Sequence, residues 1–252
     1  MDLGLQGRTA MVAAASSGLG LGMARALAAE GANVSICARG AEKLAEAHKE
    51  VDAAGPGEVR SQVVDMTDQD AVEGWVTTTV AEFGGLDVLV SHTGGVRFGT
   101  AADFGVDDYR GAVESSMLPH MALVLAAVPH LKENGWGRIL LITSESVRQP
   151  MAHNVLSGVA RLGVLGFARS LVHSLGDAGV TVNVLAPGYH RTKALKGPRG
   201  SDPDVCGAEV PLGKVGDPDD FGALAALLAS RQASFVTGAL LLVDGGNTRA
   251  VA

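Results

Sequence analysis

The chain has only two cysteines in 252 residues, Cys37 and Cys206, far apart and without CxxC spacing. That excludes a disulfide framework and a cysteine-based zinc site, leaves no expectation of a bound metal, and suits a reducing cytoplasm. A basic cluster is also lacking: 20 Lys and Arg are scattered among 27 Asp and Glu, for a net charge of −7. This argues against a nucleic-acid partner or an anionic membrane surface and favours a small-molecule substrate. No apolar run is expected to approach the roughly 18 residues of a membrane span. The stretch Thr9 to Ala29 mimics a secretory leader, but the small and polar residues from Ser16 to Gly20, then Arg25, make strand, turn and helix the better reading. No Pro/Gly/Ser-rich linker divides the chain, so with 47% hydrophobic residues a single domain over residues 1–252 is expected. Tyrosine is scarce, with Tyr109 and Tyr189 alone.

What is present is alternation. Strand-like runs at Thr9–Ala13, Asn33–Ala38, Val59–Val64, Leu86–His92, Arg138–Thr143, Val180–Leu185 and Ala239–Val243 are separated by segments of helical length. The helices are expected at Leu19–Glu30, Ala41–Ala54, Gln69–Phe83, Asp107–Leu131, Val155–Leu175 and Pro218–Ser230, with Gly31 and Gly84 as stops. This pattern predicts an α/β Rossmann-type, doubly wound parallel sheet of about seven strands with helices on both faces. Ligands of such sheets bind beyond the carboxyl ends of the strands, so the residues after each strand carry the functional information.

After the first strand, Ala14, Ser16, Ser17, Gly18, Leu19 and Gly20 form a small-residue turn opening a helix, which lets backbone N–H groups and the helix dipole meet a pyrophosphate. At the end of the second strand, where a dinucleotide site often has an acid for the ribose 2′-hydroxyl, stand Ala38 and then Arg39. An arginine there can grip a 2′-phosphate, so the expected cofactor is NADP(H) rather than NAD(H).

With these come Asp65-Met66, Ser91-His92-Thr93-Gly94, Gly137-Arg138-Ile139, Asn183-x3-Pro187-Gly188-x3-Thr192, Thr237-Gly238 and Asp244-Gly245-Gly246, in that order. From about Leu5 to Gly246 the chain resembles the short-chain dehydrogenase/reductases, in particular the bacterial branch of 3-oxoacyl-carrier-protein reductases. The resemblance implies that Asp65 and Met66 meet the adenine, Ser91, His92, Thr93 and Gly94 the ribose side, and Pro187, Gly188 and Thr192 the nicotinamide and its phosphate. Ile142 would floor the nicotinamide or be ordinary core. Ala14 stands where the family has glycine, a change of small cost if the backbone there is ordinary.

The segment from Ile139 to Leu171 departs furthest. The resemblance puts Ser144 at the family's carbonyl-positioning serine, Ser157 at the proton-donating tyrosine thirteen residues on, Arg161 at the lysine, and Ser116 at the asparagine of the preceding helix. Register is secured by Gly163-Val164-Leu165-Gly166-Phe167, which continues the family pattern. Ser157 and Arg161, four apart, share a helix face. An alkyl hydroxyl is a poor acid and arginine stays charged, so the proton must come from elsewhere. His153, His190 and Tyr189 are candidate donors beside water and an acidic hydroxyl of the substrate itself, and His92 and His120 also fall near the expected mouth. Tyr189-x3-Lys193 imitates the missing dyad but sits in a turn.

The reading of function is an NADPH-dependent carbonyl reductase with an unusual proton source, suited to cyclic, polyphenolic or polyketide-type ketones. Its alternatives are a non-redox dehydratase, cyclase or isomerase on the same scaffold, or a silent nucleotide-binding module. A short polar lid, mobile and leaving the pocket open, is expected over residues 193–211. The resemblance implies a homodimer or homotetramer through the two long helices.

Overall fold

The computed structural model describes residues 1–195 and 200–251. In chain order the elements are β1 (Thr9–Val12), α1 (Gly18–Ala29), β2 (Asn33–Ala38), α2 (Ala41–Asp52), β3 (Val59–Val63), α3 (Gln69–Phe83), β4 (Val88–Ser91), α4 (Val106–Ser116), α5 (Leu118–Glu133), β5 (Gly137–Ile142), α6 (Val155–Leu175), β6 (Val180–Pro187), α7 (Pro203–Gly207), α8 (Pro218–Ala229) and β7 (Leu240–Val243). The strands form one parallel seven-stranded sheet in the order β3-β2-β1-β4-β5-β6-β7.

Alternation of side chains along the strands builds a separate core on each face. In β5, Leu140 and Ile142 join Val12, Ile36 and Val90 under α1, α2 and α8, whereas Ile139 and Leu141 face α3, α5 and α6 with Met11, Leu89 and Val182. Each such fully buried side chain contributes about 1.5–3 kcal/mol. The packing of α1 on α8 depends on two glycines in contact: a Cβ on Gly22 would stand 2.2 Å from Pro218 O, and one on Gly222 would stand 2.3 Å from Gly22 O.

Three expectations change. The helix expected over Asp107–Leu131 is two helices, broken at Met117 (φ −119°, ψ −58°) because Pro119 has no N–H and crowds the preceding turn. Two helical stretches, Val106–Glu133 and Val155–Ala178, are long and apolar enough to cross a membrane by length and composition, contrary to the expectation of none. In the fold each buries one side against the sheet, α5 with Leu123, Val124, Ala127 and Leu131, and α6 with Val164, Ala168 and Leu171. The lid region is not featureless: α7 packs Cys206 with Leu195 and Val215, against Tyr189. Residues 196–199 of that expected lid lie outside the described residues.

Strand order reverses at β1, which lies between β2 and β4, and the loops beyond the carboxyl ends diverge there. That divergence opens the cleft.

Candidate active site

The cleft has a volume of about 890 Å³ and is lined from the ends of β1 through β6. On one side the turn after β1 supplies Ala14, Ser16, Ser17, Gly18 and Leu19. Ser17 is the N-cap of α1 yet makes no side-chain capping bond, and Gly18 presents no side chain, so the first-turn N–H groups face the cleft uncovered. Gly20 lies beneath the turn, where a Cβ would be 2.3 Å from Ala14 O. Ala14 itself has φ +52°. Its backbone is therefore left-handed rather than ordinary, and the alanine costs about 1 kcal/mol there relative to glycine.

Arg39 lines the cleft beyond β2, and Lys43 of α2, which the sequence reading missed, lies beside it. Asp65 and Met66 follow β3 in the same wall. The Asp65 carboxyl is held below its usual range, first by the Thr67 N–H and then by the Thr67 hydroxyl, with Arg39 a smaller influence. These residues fit a dinucleotide phosphate and adenosine end: open N–H groups at a helix start, two cations, and no carboxylate at Ala38.

The other side of the cleft is buried and interlinked. Ser144 caps the 3-10 turn Glu145–Val147, its Oγ accepting from Ser146 N at 3.2 Å. Ser157 is buried, with its Oγ 3.3 Å from Ser146 Oγ and accepting from Arg161 at 3.0 Å, so the helical spacing does bring Ser157 and Arg161 together. A second guanidinium nitrogen of Arg161 donates to Gly94 O at 3.2 Å, and Arg161 Nε is buried without a partner among the described residues. Burial lowers the Arg161 pKa to about 10, which still leaves it charged at neutrality. Ser116, fully buried, makes only a long 3.5 Å contact to the same Gly94 oxygen.

His92, Thr93 and Gly94 line the cleft, but Ser91 does not: its hydroxyl is 2.8 Å from His120 Nδ1, while Thr93 Oγ1 is 3.3 Å from Nε2. Burial, and then the charge of Arg161, push His92 down to about 4 and His120 to about 3. Both are neutral at physiological pH, so neither is an imidazolium acid there. Ile142 is in the core among Val12, Val90 and Leu185, away from the cleft, because the strand's alternation turns it inward; Thr143 lines the cleft in its place.

The three candidate donors fare unequally. His153 is off the cleft wall, stacked on Phe98 with centroids 6.1 Å apart. His190 reaches the cleft but is pinned: Nδ1 donates to Gly188 O at 3.1 Å, its ring meets Phe221 edge-on, and burial lowers its pKa. Tyr189 lines the cleft, yet burial first, then the negative charges of Glu145 and Glu209, raise its phenol to about 12. Pro187, Gly188, Thr192 and Lys193 complete this wall, and no helix aligns Tyr189 with Lys193.

The sequence reading passed over Glu145. It is 4% exposed, lines the cleft next to Ser144, and its Oε2 accepts from Asn247 Nδ2 at 2.9 Å. Burial is the main cause that lifts its carboxyl to about 7, with Asp244 adding to the rise. The available signal was a lone acid set between two serines, three residues beyond a strand that ends in the apolar run Ile139–Ile142.

A family model described as Enoyl-(Acyl carrier protein) reductase matches residues 13–248. The chain belongs to the short-chain dehydrogenase/reductase family. It is 33% identical to the BbsD subunit of (2S)-((R)-hydroxy(phenyl)methyl)succinyl-CoA dehydrogenase from Thauera aromatica, covering 98% of each chain. It is 30% identical to 3-oxoacyl-(acyl-carrier-protein) reductase FabG from Vibrio cholerae, over 97% of this chain and 98% of that one. Among solved structures, YwfH, an NADPH dependent reductase involved in bacilysin biosynthesis, superposes with a TM-score of 0.89 at 25% identity, over 97% of this chain and 99% of the other. As a short-chain dehydrogenase/reductase with these relatives, the protein is an oxidoreductase acting on hydroxyl or carbonyl groups.

Proposed function

We propose that this protein is an NADPH-dependent reductase of a ketone, cyclic or of polyketide type, whose carbonyl is held without the family's phenol. The observation that carries it is the coexistence, in one cleft, of a cationic pair at Arg39 and Lys43 and a buried Ser157–Arg161 network beside Ser144. Arg39 and Lys43 would hold the 2′-phosphate, as two cations facing an ester dianion do. The open first turn of α1 would take the diphosphate, and Asp65 and Met66 would border the adenine. His92, Thr93 and Gly94 would flank the ribose, with Pro187, Gly188 and Thr192 beside the nicotinamide. That cofactor supplies the hydride when bound, and YwfH, of the same fold, is an NADPH dependent reductase.

The chain's own groups supply the rest. The Ser144 hydroxyl donates to the carbonyl oxygen, and the fixed charge of Arg161 stabilises negative charge growing there or orients the ribose. Ser157 is occupied between Ser146 and Arg161 and serves as a spacer that aims the guanidinium. The decisive experiment is NADPH consumption over a panel of cyclic, polyphenolic and polyketide-type ketones. Turnover with at least one of them is expected; tight NADPH binding with no turnover on any would sink the reading, and product formed without NADPH consumption would replace it by non-redox chemistry.

Two further assignments belong to the same reading. A reducing cytoplasm suits Cys37 and Cys206, both free and buried. Association through the long helices suits the exposed Leu125 of α5 and the exposed Val159 and Leu162 of α6, and sizing in solution would show a dimer or tetramer.

A further inference from the structure

A buried carboxyl is kept by a cation, a metal or a proton. Among the described residues the groups that face Glu145 are the Asn247 amide and the Asp244 carboxylate beyond β7, and the Tyr189 phenol beyond β6; α6, packed on the same turn, carries the cation Arg161, whose guanidinium is bonded to Ser157 and Gly94 and not to Glu145. Among the described residues no cation bonds Glu145, and its neutralisation there falls to a proton, in keeping with a titration near 7. Its place in the fold is on the cleft. Glu145 follows Ser144 directly in the chain, lines the same cleft, and its Oε2 lies 3.1 Å from where a Cβ on Gly188 would stand.

We propose that the Glu145 carboxyl is the proton donor for carbonyl reduction in this protein, doing the work of the absent phenol. The inference rests on the reductase reading above. As hydride reaches the carbonyl carbon, the C=O π pair moves to the oxygen held by Ser144, and that oxygen takes the proton of Glu145. The products are the alcohol, oxidised cofactor and a Glu145 carboxylate, which recovers its proton from water. A group titrating near the working pH is the effective kind for such a transfer, worth roughly 10²–10⁴-fold in rate.

The test is a pH–rate profile of the wild-type enzyme and of two variants. The wild type should lose kcat as pH rises through about 7, as Glu145 ionises. Glu145→Gln should lower kcat by roughly 10²–10⁴-fold and abolish that limb, with the NADPH dissociation constant within twofold. Asn247→Leu removes the amide that favours the ionised form, so the limb should move to higher pH, a shift that a merely structural Glu145 would not produce. An unchanged limb in Glu145→Gln, or an unmoved one in Asn247→Leu, would overturn the proposal. A direct readout needs no substrate: with ¹³C-labelled glutamate carboxyls, one resonance should titrate near neutrality in the wild type and move upward in Asn247→Leu. If no glutamate titrates above pH 6, the proposal fails whatever the activity; if one does and no ketone is reduced, the reductase reading fails instead.

Discussion

The two halves of the cleft are built from different materials. The half beyond β1 to β3 is made largely of backbone: a helix start without a capping bond, a tight turn, and the exposed side chains of Arg39 and Lys43 at its rim. The half beyond β4 to β6 is made of buried side chains, with Arg161, Ser157 and Ser146 linked in series and His120 held between two hydroxyls. The first kind tolerates a changed residue, as Ala14 does at a positive φ, because N–H groups serve whatever the side chain. In the second kind a changed residue alters its neighbours' charge. Burial first, and then the permanent charge of Arg161, disfavour a second proton on His92 and His120, and so remove two imidazolium acids from the site.

The comparison breaks most sharply at Ser144. Ser144→Ala should reduce kcat/KM by roughly 10²–10³-fold while NADPH affinity changes less than twofold, since one hydrogen bond to developing charge is lost and the phosphate side is untouched. If NADPH binding falls in parallel with turnover, the halves are not separable.

Buried ionisable groups should also give the second half opposing pH signatures. His120 has a folded pKa depressed from 6.5 to about 3, so its stability contribution is present above 6.5 and is lost as pH falls toward 3. Glu145 has a folded pKa raised from 4.5 to about 7, so its contribution is full below 4.5 and is lost as pH rises to 7. The two overlap in the wild type, and difference curves separate them. Urea unfolding should show His120→Asn gaining on the wild type by on the order of 3 kcal/mol at pH 4 relative to pH 7. Glu145→Gln should gain a similar amount at pH 8 relative to pH 4.5. Parallel curves for either pair would mean that the group is solvated in the native state.

On the other half, Arg39→Ala should weaken NADPH binding by about 10–100-fold and NADH binding by less than threefold, because only NADPH carries the 2′-phosphate. Equal weakening of both would place Arg39 on the adenine instead. Lys43→Ala should repeat the effect at smaller size, its ammonium being a point charge without the fork of a guanidinium.

Legibility in the sequence follows the same division. The seven strands and their helices were readable because apolar alternation and glycine stops are local signals; Gln69–Phe83 and Val155–Leu175 match at both ends. The broken long helix was not, although Pro119 marks it, because the apolar pattern continues across the break. Site residues carried by backbone turns fell where spacing put them. Those that depend on which way a side chain turns did not: Ile142 and Ser91 face inward, and His153 lies off the wall. Glu145 could be seen as an acid at a strand end, but its burial beside Asp244 and Asn247 is a long-range arrangement that spacing does not encode.

The smallest effect is expected at Ala14, and it sharpens the contrast from the tolerant side. With φ at +52°, the alanine occupies a conformation that glycine adopts freely, while its carbonyl already packs where a Cβ on Gly20 would be 2.3 Å away. Ala14→Gly should therefore relieve strain in the folded state but also loosen the unfolded chain, for a net gain of about 1 kcal/mol or less. Thermal unfolding should show a rise of a few degrees at most, with NADPH affinity unchanged within twofold, because the N–H groups that meet the phosphates keep their places. A loss of stability would mean that the methyl is packed rather than strained, and that the turn tolerates alanine because it uses it.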